Sequence, residues 1–166
     1  MTEKPKGNEP QKDNPSITSK DVLESDKDEI TSVKGDVSIF LTKNNLDHET
    51  LPSDHIGIEI IKVQSNKLFL IAEALKNNGF DYLQCQGGYD EGAGKNLVCF
   101  YHLIAMEEVT NFSQNTANKN ILREVRLKVF LDRNSEITVP SLYRLFKGSD
   151  WQERETYDMF GINFQG

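Results

Sequence analysis

The chain has 166 residues, 37% hydrophobic and 27% charged, and its 26 acidic side chains against 19 basic ones give a formal charge of −7 at pH 7, as for one small acidic domain. That balance argues against a primary nucleic-acid binder, which needs a basic stripe to neutralise phosphates. The most apolar stretch, residues 68–75, is far short of the roughly 18–20 residues of a membrane span, and no apolar segment follows the charged N-terminus, so an intracellular chain without a secretory signal is expected.

Residues 1–35 hold six apolar residues, no aromatic one and three of the five prolines. Such a stretch cannot offset its ordering entropy and reads as a disordered acidic leader. Residues 36–166 carry all fifteen aromatic side chains and read as one folded domain. Val37, Ile39, Phe40 and Leu41 indicate a short helix or turn before an acidic segment, Leu46-Asp47-His48-Glu49. The β-branched run over residues 56–63 reads as a strand. Ser65 is placed to cap a helix in which Leu68, Ile71, Ala72 and Leu75 follow i, i+3, i+4, i+7 spacing and Gly79 closes the end.

Three further strands are expected over residues 80–85, 97–106 and 122–131. In the last, Val125, Leu127, Val129 and Leu131 alternate with Glu124, Arg126 and Lys128, so one face is buried and one wet. Residues 87–96 read as a glycine-rich hairpin loop and residues 111–120 as a polar loop. With a closing helix the order is β-α-β-β-β-α, which predicts an α+β fold: a mostly antiparallel sheet of about four strands with helices on one face.

Few residues invite chemistry. The loop from Gly87 to Asn96 fails as a phosphate cradle: Tyr89 and Asn96 stand where a glycine and a magnesium-binding hydroxyl are needed, Asp90 and Glu91 repel phosphate, and a strand follows. His48, His55 and His102 have no ligand spacing, and Cys85 and Cys99 are too few for a cluster or zinc site. A nucleophilic pairing of Cys85 or Cys99 with a histidine is a minor reading, with Cys99 and His102 expected on opposite strand faces. Asn111-Phe112-Ser113 has the glycosylation pattern but, without a signal, is not expected to meet that machinery.

The last segment combines aromatics and charges at helical spacing. Asp150 is placed to cap, Glu153 to reach back three residues, and Gly161 to stop the helix. Trp151, Arg154, Glu155 and Asp158 share one arc of the wheel, and Tyr157, Phe160 and Glu153 the other. Glu153 and Glu155 diverge too far to flank one bond as acid and base. An Arg154–Asp158 pair is the expected surface contact. Aromatics and arginine on an amphipathic helix indicate an interface element.

This segment, Asp150-Trp151-Gln152-Glu153-Arg154-Glu155-Thr156-Tyr157-Asp158-Met159-Phe160-Gly161-Ile162, resembles the signature of the 30 kDa subunit family of respiratory complex I. Blocks around Ile56-Gly57-Ile58-Glu59-Ile60-Ile61, Gly87-Gly88-Tyr89-Asp90 and Glu124-Val125-Arg126-Leu127 extend the likeness, closest to the NDH-1 complexes of cyanobacteria and plastids. The resemblance implies a non-redox subunit of the peripheral arm of a proton-translocating NAD(P)H (or ferredoxin):plastoquinone oxidoreductase. It would pack against the 49 kDa-type and iron-sulfur subunits near the quinone-reducing module. No cofactor or metal is expected on this chain, the iron-sulfur clusters and quinone being held elsewhere in the complex. Its membrane association, on the cytoplasmic side of the thylakoid, would come through the complex alone. No catalytic residue is expected; Trp151, Glu153, Arg154, Glu155, Tyr157, Asp158, Met159, Phe160 and Gly161 are the expected subunit-interface set. Family members continue past the glycine matching Gly166, so a free-standing interaction domain that lost docking with its tail is the alternative.

Overall fold

The computed structural model describes residues 35–106 and 123–166; the leader up to residue 34 and the polar loop over residues 111–120, with Asn111-Phe112-Ser113, lie outside the described residues. The element order is α1 (Asp36–Lys43), β1 (Glu49–Leu51), β2 (Glu59–Lys62), a 3₁₀ turn (Ser65–Lys67) and α2 (Leu68–Asn77). There follow β3 (Tyr82–Asp90), β4 (Leu97–Ile104), β5 (Glu124–Leu131), β6 (Thr138–Pro140), α3 (Ser149–Phe160) and β7 (Asn163–Gln165).

The first five strands form one sheet in the order β1-β2-β5-β4-β3. All neighbours are antiparallel except β2 and β5. Parallel neighbours need a long crossover, here α2 and the β3–β4 hairpin. The α+β class and the mostly antiparallel sheet are as expected. The sheet has five strands rather than about four because β1 forms in the polar segment, registering Glu49 with Lys62 and Leu51 with Ile60. A separate parallel pair, β6 and β7, was also not expected from the sequence.

The alternation in β5 sets the layers. Val125, Leu127, Val129 and Leu131 lie in register with Leu103, Tyr101, Cys99 and Leu97 of β4, and all are buried on one face. Onto that face pack Val37 and Leu41 of α1 and Leu68, Ile71, Ala72 and Leu75 of α2. Each such fully buried aliphatic contributes roughly 1.5–3 kcal/mol before entropy is counted. The opposite face carries Arg126, Lys128 and Phe130 of β5 beside His102, Phe100 and Val98 of β4.

Three local readings change. The run over residues 56–63 pairs only from Glu59, because Asp54 Oδ1 accepts the Ile56 and Ile58 amides at 3.1 and 2.9 Å and Gly57 takes φ 84°, a side-chain-stabilised turn. Ser65 does not cap α2; its hydroxyl donates to the Thr138 carbonyl at 2.7 Å, tying the 3₁₀ turn to β6. The glycine-rich stretch is mostly strand: β3 runs to Asp90, and only residues 91–96 turn, with Gly92 and Gly94 at positive φ.

The N-terminus of α1 is capped at long range. Glu59, at the start of β2, accepts the Val37 amide at 3.0 Å and the Ser38 amide at 2.8 Å, and a Cβ at Gly35 would run into that carboxylate. Two orphan helix donors therefore depend on one side chain across the sheet. Glu59→Ala is expected to lower stability by about 1–2 kcal/mol. Glu49→Ala, which removes only the exposed pair with Lys62, should cost less than about 0.5 kcal/mol. Urea unfolding of both variants at neutral pH checks the difference.

Candidate functional site

Helix α3 lies across β3, and its inward face is fastened to the sheet by polar contacts. The Thr156 hydroxyl accepts from Gln86 Nε2 at 3.0 Å and donates to the Gln152 carbonyl at 2.8 Å. Gln152 Oε1 accepts the Gln86 backbone amide. Gln86 Nε2 also reaches Cys99 Sγ at 3.3 Å, and that thiol donates to the Tyr101 hydroxyl at 3.3 Å. Close approach of helix and strand requires Gly88: a Cβ there would stand 3.0 Å from the Phe160 ring and 3.1 Å from the Thr156 methyl.

The charged anchor is Glu153, 7% exposed. Its carboxylate accepts from the Ser141 hydroxyl at 2.7 Å and from the Leu142 amide at 2.9 Å. Ser141 Oγ in turn accepts the Tyr143 amide at 3.1 Å, so one acidic side chain holds the whole turn after β6 against the helix. The capping role expected of Asp150 and Glu153 is not formed: the N-cap is Gly148, with no side-chain cap. The backbone turn behind the helix offers Glu153 a buried donor pair, which outweighs a solvent-facing cap. Gly161 does end the helix in the left-handed region, φ 69°, its amide bonding the Tyr157 carbonyl at 2.7 Å.

The outward face is the opposite in character. Trp151 is 71% exposed, Met159 74% and Tyr157 52%. Arg154 pairs with Asp150, through Nε to Oδ1 and Nη2 to Oδ2 at 3.2 Å each, rather than with Asp158. The Asp150 partner lets the guanidinium fold back to 5.6 Å from the Trp151 ring centroid, and an acid N-terminal to its base also suits the helix dipole. Glu155 and Asp158 are exposed, with no ion-pair partner among the described residues. Between α3 and β7 runs an open groove of about 550 Å³, lined among others by Tyr143, Tyr157, Asp158, Asn163 and Phe164.

The structure thus divides the expected interface set. Trp151, Arg154, Glu155, Tyr157, Asp158 and Met159 face outward, Glu153 is a buried clamp, Phe160 packs against the core, and Gly161 is a helix stop. Tyr157 belongs at the groove and not with the buried arc. Gln86, Ser141 and Thr156 were missed. Thr156 carried one signal, a β-branched hydroxyl residue inside a helix, where it needs a reason to be.

The thiols and histidines are occupied or quiet. Cys99 is fully buried, and burial pushes its thiol up to about 11; burial also raises Cys85, against the pull of the Arg126 charge. Cys99 and His102 lie on opposite sheet faces, as expected, while Cys85 registers with His102 across β3 and β4. His102 Nε2 bonds Glu124 at 2.9 Å, and His48 lies between Ser38 Oγ at 2.9 Å and the Leu46 carbonyl at 2.7 Å. Among the described residues no group of three His, Cys, Asp or Glu side chains is arranged to hold a metal ion.

Two outcomes follow from this geometry. Glu153→Ala leaves the Ser141 hydroxyl and the Leu142 amide buried without an acceptor and should destabilise by about 2–3 kcal/mol. Glu155→Ala should cost less than about 0.5 kcal/mol, and chemical denaturation of the two variants reads the contrast. Alkylation by iodoacetamide at pH 8 should leave Cys99 unmodified in the folded chain, since only on the order of one in a thousand such thiols is ionised. Mass spectrometry before and after unfolding locates the label.

Residues 61–166 match the family model described as "Respiratory-chain NADH dehydrogenase, 30 Kd subunit". NAD(P)H-quinone oxidoreductase subunit J of Prochlorococcus marinus strain NATL2A is 58% identical over 134 residues, 81% of this chain and 73% of the relative. The protein of that name from Synechococcus sp. strain WH7803 is 57% identical over 137 residues, 82% of this chain and 72% of the relative. A solved trypsin-resistant fragment of Nqo5 has a similar fold, with TM-score 0.58 at 16% identity, over 77% of this chain and 93% of the fragment. A chain of an archaeal membrane-bound sulfane sulfur reductase gives TM-score 0.58 at 18% identity, over 78% of this chain and 68% of that one. The family match covers the sheet from β2 onward and the whole of α3, and the chain belongs to the respiratory-chain NADH dehydrogenase 30 kDa subunit family.

Proposed function

We propose that the chain is a non-redox subunit of the peripheral arm of an NDH-1-type, proton-translocating NAD(P)H (or ferredoxin):plastoquinone oxidoreductase. In that reading it packs against the 49 kDa-type subunit near the quinone-reducing module and sits on the cytoplasmic side of the thylakoid membrane through the complex. Its contribution to electron transfer is architectural. The names of its relatives support the activity of the assembly. The chain supplies only two cysteines, too few for an iron-sulfur cluster, and no described helix is long and apolar enough to cross a membrane.

One observation carries the assignment to a docking role. The inward face of α3 is pinned by Gln86, Thr156 and Glu153 while its outward face presents Trp151 and Met159 almost bare. Exposing two large apolar side chains on a rigid element is unfavourable in water and favourable at an interface, where tryptophan is a preferred anchor. A pinned helix also loses little conformational freedom on association, so more of the contact energy appears as affinity.

Affinity purification of the tagged full chain from gently solubilised membranes tests this reading. The 49 kDa-type and iron-sulfur subunits are expected to co-elute, and Trp151→Ala should reduce their recovery by about tenfold or more. Recovery of the wild-type chain alone overturns the proposal, and undiminished recovery by the variant removes α3 from the contact.

A further inference from the structure

The groove beside α3 is lined in part by Asn163 and Phe164 of β7. Among the described residues strand β7 pairs only with β6, its Asn163 amide bonding the Ile137 carbonyl at 2.9 Å and its Gln165 carbonyl accepting the Ser141 amide at 2.7 Å. Successive residues of a strand face opposite sides, so the N–H and C=O of Phe164 point away from β6, toward an edge that no described strand occupies. Such an edge is a template for an added strand.

The charges around that edge select what can be added. Asp150, Glu153, Asp158 and Arg154 are the charged residues lining the groove. Arg154 is taken by Asp150, and Glu153 by Ser141 and Leu142. Asp158 is left facing the groove without an ion-pair partner among the described residues, with the Tyr157 ring nearby, while the Tyr143 ring already carries Lys147 Nζ at 3.9 Å from its centroid. A second copy of this chain, at net charge −7, would bring carboxylates to carboxylates, and the leader is itself acidic, with eight Asp and Glu against six Lys in residues 1–34.

We infer that the α3–β7 groove receives an extended segment of a neighbouring subunit, which pairs with the outer edge of β7 at Phe164 and sets an arginine or lysine against Asp158. This rests on the subunit reading and adds to it the partner's conformation and charge. The backbone contact fixes orientation, and the charge contact rejects acidic segments. A cation seated there also has the Tyr157 ring within the same groove.

The test is made on the intact assembly purified through the tagged chain, compared with the full chain expressed alone. Hydrogen exchange read at single amides should show Phe164 protected at least about tenfold more in the assembly than in the free chain. Asp158→Lys should weaken retention of the neighbouring subunits by about tenfold in a salt wash, while Glu73→Lys, exposed on α2 and away from the groove, should not. Thermal unfolding of each free variant confirms that it folds. Equal exchange at Phe164 with undiminished retention overturns the inference and leaves the subunit reading standing. Protection of Phe164 that grows with the concentration of the free chain alone identifies a second copy as the occupant and overturns it too. Failure of the wild-type chain to bring down any other subunit overturns the subunit reading itself.

Discussion

A single buried carboxylate organises the C-terminal half of the domain. Glu153 is turned inward from a helix whose other acids, Asp150, Glu155 and Asp158, are half-buried or exposed. Its two hydrogen bonds, to the Ser141 hydroxyl and the Leu142 amide, fix the position of the turn after β6. Ser141 also donates its amide to the Gln165 carbonyl, so the same turn sets the register of β6 and β7. Helix, turn and strand pair are thus one mechanical unit, and Glu153 and Ser141, which join them, also line the groove between α3 and β7.

The seam with the sheet depends on a second, smaller set of contacts. Gly88 lets Phe160 and Thr156 approach the β3 backbone, and Gln86 fills the polar requirement of Thr156 in a space with little access to water. Buried polar groups are tolerable only when satisfied, and here nearly all are; Ser149 Oγ is the one buried side-chain oxygen or nitrogen among the described residues without a partner. A satisfied polar seam specifies position more sharply than an apolar one, because sliding the helix would break directional bonds. In the proposed docking role that sharpness matters, since outward residues meet a partner only at fixed spacing.

Much of the layer structure was legible in the residues. The alternation in Glu124–Leu131 and the i, i+3, i+4, i+7 spacing of Leu68, Ile71, Ala72 and Leu75 are patterns of burial, and burial decides element type when the run is long enough. Short elements were not legible: β1, β6 and β7 have three residues each, too few for any period to show. Their pairing comes from neighbours already in place. Caps failed for a related reason. Ser65, Asp150 and Glu153 are all sound local caps, but Ser65 and Glu153 found donors or acceptors far away in the chain, Asp150 found Arg154, and α1 took its cap from Glu59, more than twenty positions away. The outward set of Trp151, Arg154, Glu155, Asp158 was readable because a helical wheel depends on spacing alone; which of the two faces would be buried was not.

The open edges of the domain narrow where a partner can pair. Exposed strand edges invite unwanted association and are commonly shortened, charged or distorted. Strand β1 is three residues long and carries the Glu49–Lys62 ion pair with its neighbour. Strand β3 breaks register between Leu83 and Cys85, a bulge that interrupts its free side. Both edges of the main sheet are therefore blunted by devices readable in the structure. The outer edge of β7 has neither bulge nor ion pair, and it lies beside the one helix that presents Trp151, Tyr157 and Met159 to the outside. An edge left plain next to bare aromatics, beside a main sheet with both edges blunted, is where the inferred pairing meets the least resistance from the fold.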